Sequence, residues 1–102
     1  MDISIFIPTK NRIFYLKRTL NYYSHLRFEG QIIVLDGSDE INLKKNLNII
    51  RNFKNLNINH IETSYLPLIA IKDNLNLIKK NYCSFMGDDD YLIPSGIKKS
   101  IN

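Results

Sequence analysis

Ile32-Ile-Val-Leu-Asp-Gly-Ser38 carries four apolar residues straight into an acidic turn, and its reading decides the fold. A short, wholly apolar run bounded by turn residues is the mark of a strand buried on both faces, as in a parallel sheet. Upstream, Ile3-Ser-Ile-Phe-Ile7 reads the same way and stops at Pro8, which has no N–H to give to a ladder. Between the two, Ile13, Leu16, Leu20 and Tyr23 recur at helical spacing, with Asn11 placed to cap that helix and Gly30 ending the unit. The pattern then repeats. Leu43, Leu47 and Ile50 mark a second helix, and Asn57 to Glu62 alternates as a weak strand. Leu68, Ile71, Leu75 and Ile78 give a third helix, and Tyr82-Cys-Ser-Phe-Met86 a fourth strand, followed by Gly87 and three aspartates. Pro94 opens a last helix, with Lys98 and Lys99 toward its C-terminal end. The order β-α-β-α-β-α-β-α predicts an α/β layer fold with a mostly parallel sheet.

At 102 residues the chain makes one domain at most. Hydrophobic residues at 44% and charged residues at 24% are ordinary globular composition. A single cysteine, Cys83, excludes an intrachain disulfide and gives no sign of an oxidising compartment. Met-Asp-Ile-Ser at the start lacks the basic and apolar regions of a signal peptide. The longest uncharged apolar stretch, from Tyr65 to Ile71, falls far short of the roughly 18 residues of a membrane span. The expectation is a soluble, cytoplasmic protein without a membrane span. The net charge of +4 raises the question of nucleic acid, but the bases are scattered from Lys10 to Lys99. Six of the ten acids instead fall into two clusters, at 36–40 and 88–90. Those clusters ask for an explanation.

Both clusters follow strands. In a parallel sheet they would share one edge with Pro8 and Thr9, the edge beyond the strands' C-terminal ends where ligands collect. Asp88 and Asp90 would project to one side of an extended segment, offering two carboxylates to one hard cation. No basic residue lies between Lys80 and Lys98 to neutralise them. A solvated acidic turn is the plain alternative. Asp36 could accept hydrogen bonds from a ribose or a base edge; taken alone, Asp36-Gly37 reads more readily as a turn closing a strand. Thr9 could bond a base edge or help cap the next helix. Lys10 and Arg12 could face a diphosphate, although solvated surface charge is the commoner use.

Other site types fail on pattern. Counting an EF-hand loop from Asp36 puts Ile41 where glycine is required, and there is neither a P-loop nor a G-x-G-x-x-G. His25, His60 and Cys83 have no metal-ligand spacing; the histidines read as structural and Cys83 as a buried packing residue.

Ile3-Ser-Ile-Phe-Ile-Pro-Thr-Lys-Asn-Arg12, Ile32-Ile-Val-Leu-Asp-Gly-Ser38 and Ser84-Phe-Met-Gly-Asp-Asp-Asp90, in that order, resemble the N-terminal portion of glycosyltransferase family 2. The resemblance covers nearly the whole chain. It implies a GT-A-like (Rossmann-like) α/β/α sandwich, a nucleotide-diphosphate sugar as donor, UDP-sugar above all, and Mn²⁺ or Mg²⁺ as cofactor. It places Pro8 and Thr9 in the nucleotide pocket with Asn11 and Arg12 beside them, and Asp36 against the uracil or ribose. Asp88 and Asp90 become the metal site, Asp90 the direct ligand, with Asp88 also near the nucleotide. Three departures stand out. Lys72-Asp73-Asn74 occupies the place of an Arg-Asn pair, so only Asn74 carries over as a nucleotide-binding candidate. Asp36 stands alone where paired aspartates are usual. The acceptor-binding half that supplies the catalytic base would follow Asn102, so the domain is expected to be incomplete.

The sequence therefore points to the donor-binding half of an inverting glycosyltransferase acting on an unassigned glycan, lipid or protein acceptor. The rival readings are a non-catalytic nucleotide-binding module and, further off, a basic α/β domain that binds nucleic acid.

Overall fold

The computed structural model describes residues 2–63, 67–80 and 82–85. The strand end expected at Met86, the triplet Asp88, Asp89 and Asp90, and the helix expected from Pro94 lie outside the described residues. Four strands, β1 (Ile3–Thr9), β2 (Gln31–Asp36), β3 (Asn57–Glu62) and β4 (Tyr82–Phe85), form one sheet in the order β3-β2-β1-β4. Every pair in it is parallel. Helix α1 (Ile13–His25) joins β1 to β2, α2 (Glu40–Arg51) joins β2 to β3, and α3 (Pro67–Asp73) precedes a 3-10 turn at Leu75–Leu77.

Strand alternation decides which helix each side chain meets. Ile3, Ile5, Ile7, Ile32 and Val34 form one buried face against Leu16, Leu20 and Tyr23 of α1, with Ile49 and Ile50 of α2 at its margin. Phe6, Ile33 and Leu35 point the other way, beneath Ala70 of α3, with Ile61, Ile71, Leu77 and Ile78 around them. Two apolar layers on one sheet make the expected α/β/α sandwich. Each such side chain contributes about 1.5–3 kcal/mol by leaving water. Cys83 of β4, expected as a buried packing residue, is instead exposed.

The loops depart from expectation at two points. Asn11 does not cap α1: the cap position is Arg12, whose side chain makes no capping bond, while Asn11 takes a left-handed φ of 52°. Asparagine is among the few residues that tolerate that conformation, because its short amide can bond locally. Gly30 does end the unit, immediately before β2, while the positive φ after α1 belongs to Arg27. Gly30 is there for space, since a Cβ would strike the Phe28 ring and lie 2.8 Å from the Ile3 carbonyl oxygen. The third helix, expected to run through Ile78, stops at Asp73. There the Asn74 Nδ2 donates to the Ala70 carbonyl at 2.7 Å and its N–H turns to Ile71 at 3.1 Å, which tightens the chain into the 3-10 turn.

One buried polar residue ties this turn to the sheet. Gln31, fully buried at the start of β2, accepts from the Ser4 hydroxyl at 2.6 Å and the Lys79 N–H at 3.0 Å. Its amide donates to Asn59 Oδ1 at 2.8 Å and to the Leu77 carbonyl at 2.9 Å. β1, β3 and the segment before β4 are thereby fastened to one side chain.

Candidate functional site

The chain winds outward from β1 through β2 to β3 and then returns to place β4 on the other side of β1. That reversal is a topological switch point, where connections leave a crevice beyond the strands' C-terminal ends. Beside it, on the same edge, the ends of β1, β2 and β3 are fastened together. The Gly37 N–H donates to the Thr9 carbonyl at 2.9 Å, and the Thr63 N–H to the Asp36 carbonyl at 2.9 Å. β4 runs parallel to β1 from Ile3↔Tyr82 to Phe6↔Phe85, so its C-terminal end faces the same edge. Asp88 to Asp90 follow it in sequence.

The first acidic cluster resolves into three different jobs. Asp39 caps α2, accepting the Asn42 N–H at 2.9 Å. Glu40 is exposed in the first turn, 3.5 Å from Lys44 one turn on. Asp36 is fully buried, and its carboxylate is enclosed by donors. Oδ1 accepts the Ser38 N–H at 3.0 Å, while Oδ2 accepts the Asn46 amide at 2.9 Å and lies 2.8 Å from His60 Nε2. The Ser38 hydroxyl adds another bond. Burial pushes the carboxyl pKa up, but the bonds from His60, Ser38 and Asn46 together outweigh it and hold it below the ordinary value.

A second network lies above the first. The Asn11 N–H donates to Ser38 Oγ at 2.8 Å, and Asn11 Oδ1 accepts the Asp39 N–H at 2.9 Å and the Asn42 amide at 3.2 Å. The loop after β1 is thus sewn to the turn after β2, with Ser38 as the junction.

The structure accordingly brings Thr9, Asn11 and Asp36 into one strand-edge cluster, with Pro8 partly exposed on the opposite sheet face. Arg12 adjoins it, its guanidinium 4.1 Å from the Tyr15 ring centre. Asn74 is not joined to the cluster, its amide being engaged within α3. Asp88 and Asp90 lie outside the described residues. Two members were missed in the sequence. His60 read as structural, and Asn46 was passed over although it sits among Leu43, Leu47 and Ile50 on the helix's apolar face, a legible oddity. Among the described residues no group of three or more His, Cys, Asp or Glu side chains could hold a metal ion. Among them, too, no helix is long and apolar enough to cross a membrane.

The sequence matches no protein-family model, and no curated protein matches it either. Solved structures do. S. aureus TarS 1–349 superposes with a TM-score of 0.77 at 22% identity, over 99% of this chain and 31% of that one. The same protein in complex with UDP gives 0.74 at 23%, over 99% and 31%. Its complex with UDP-GlcNAc gives 0.72 at 20%, over 99% and 30%. The present chain therefore spans under a third of those structures. Identities this low establish architecture, and the chain has the GT-A-like α/β fold that its three motifs led us to expect.

Proposed function

We infer that this chain is the donor-binding portion of an inverting glycosyltransferase, taking a nucleotide-diphosphate sugar, of the UDP-sugar class, at the β1/β4 switch point. One observation carries the reading: the strand-edge cluster of Thr9, Asn11 and Asp36 stands beside the switch point of a fold that is shared, over 99% of this chain, with a protein solved with UDP and UDP-GlcNAc. In this reading Pro8 and Thr9 line the nucleoside pocket, and Arg12 offers a cation toward the diphosphate. Asp36 acts from beneath. Its carboxylate has its acceptor positions engaged, so it shapes the turn instead of meeting the base directly.

Asp88 and Asp90 would hold the metal, Mn²⁺ or Mg²⁺, since hard oxygen donors suit such an ion shared with a diphosphate. When bound, it would offset the charge developing on the diphosphate as the sugar departs. No residue of this chain is assigned as the base that deprotonates the acceptor hydroxyl.

Calorimetry of UDP binding with Mn²⁺ and with EDTA tests the reading. Mn²⁺ should tighten binding, and Asp90→Ala should remove the Mn²⁺-dependent part. Equal affinity under both conditions would sink the metal assignment, and no UDP binding at all would sink the nucleotide site.

A further inference from the structure

The geometry points to His60 as a positioning residue of the nucleotide site, acting through Asp36 and Ser38; the inference rests on the nucleotide reading above. His60 reaches from β3 to the α2 side of the sheet, where its side chain is 10% exposed and Nε2 stands 2.8 Å from Asp36 Oδ2. An ionised carboxylate only accepts, so the proton of this contact belongs to Nε2. From Asp36 the bonds run outward without a gap. Oδ1 takes the Ser38 N–H, Ser38 Oγ takes the Asn11 N–H, and Asn11 Oδ1 takes the Asp39 N–H. An imidazole beneath the sheet edge is thereby linked to the loop after β1, one wall of the proposed pocket. Asn46 reinforces the link from α2, donating to both Asp36 Oδ2 and Ser38 Oγ while its own Oδ1 stays buried without a partner. Leaving a buried acceptor unpaired is costly, so the two donors aimed at this turn must matter to the fold or to the site.

Both turns are in this way fixed before any nucleotide arrives. A site that is only fractionally in its competent arrangement loses apparent affinity by that fraction. Without the His60 donor, the Asp36 charge would remain buried with less compensation, and the turn gains most by opening toward water. Apparent affinity should fall accordingly.

The test is UDP calorimetry on the wild-type chain, His60→Gln and His60→Leu, with a melting curve for each. Glutamine keeps an N–H donor; leucine keeps only the bulk. His60→Leu should bind UDP about tenfold more weakly, and His60→Gln should stay within about threefold of wild type. Nitrogen-15 NMR of the unliganded wild type should show a proton on His60 Nε2. A folded His60→Leu chain with wild-type affinity would overturn the inference, and so would an Nε2 that carries no proton. If the substitutions unfold the chain, the proton on Nε2 decides. A wild-type chain that carries it yet binds no UDP would refute the nucleotide reading and leave the link from His60 to the loop standing.

Discussion

Asp36 gathers the hydrogen bonds of the strand edge on one buried side chain. Asp36→Ala would strand the Ser38, Asn46 and His60 donors in a buried space, and a loss of about 2–4 kcal/mol of stability is expected by denaturant unfolding. Its pKa lies below the ordinary carboxylate value in the folded chain. A depressed folded pKa gives stability that is fully present above the unfolded-state pKa and lost as pH falls through the folded one. Wild type should therefore lose stability below about pH 4 more steeply than Asp36→Asn, which has no carboxyl to protonate there. Parallel slopes in acid denaturation would contradict the assignment of Asp36 as the buried anion. The sequence showed this residue's place and not its company. Asp36 follows an unmistakable strand, but the register that sets Val34 against His60, and so brings the ring beside Asp36, is written in neither strand alone.

At the scale of elements, the strands and α1 were legible because burial on two faces leaves an apolar run and burial on one leaves a helical stripe. The end of α3 was not. Leu68, Ile71, Leu75 and Ile78 keep helical spacing, yet one amide, Asn74 to the Ala70 carbonyl, closes the helix three residues after Ala70. Local side-chain bonding of that kind leaves no periodicity to read. The turn it creates is held by Gln31, which joins β1, β3 and the segment before β4. Gln31→Ala should cost about 2–4 kcal/mol, since it leaves a cavity and several unpaired buried groups. A loss below about 0.5 kcal/mol in equilibrium unfolding, the range of ordinary surface substitutions, would show that the network is dispensable.

At the scale of the molecule, the two layers are unequal among the described residues. The α1 side buries Ile3, Ile5, Ile7, Leu16, Leu20, Tyr23, Phe28, Ile32, Val34 and Leu56, whereas the α3 side buries Phe6, Ile33, Leu35 and Ala70. Opening free energy follows buried contact, so amides of β1 and β2 should exchange most slowly and those of α3 sooner. Uniform protection across both would argue against this division. The strand edge, by contrast, is held by hydrogen bonds more than by apolar packing, which suits a surface that must present polar groups in fixed places. The central claim is that this edge binds a nucleotide. A UDP titration followed by amide chemical shifts, in the presence of Mg²⁺, tests it most directly. Shifts are predicted to concentrate at Thr9 to Arg12 and Asp36 to Asp39. No saturable shift, or shifts confined to the grooves lined by Arg18, Tyr22 and His25 or by Arg27, Glu29 and Asn57, would contradict it.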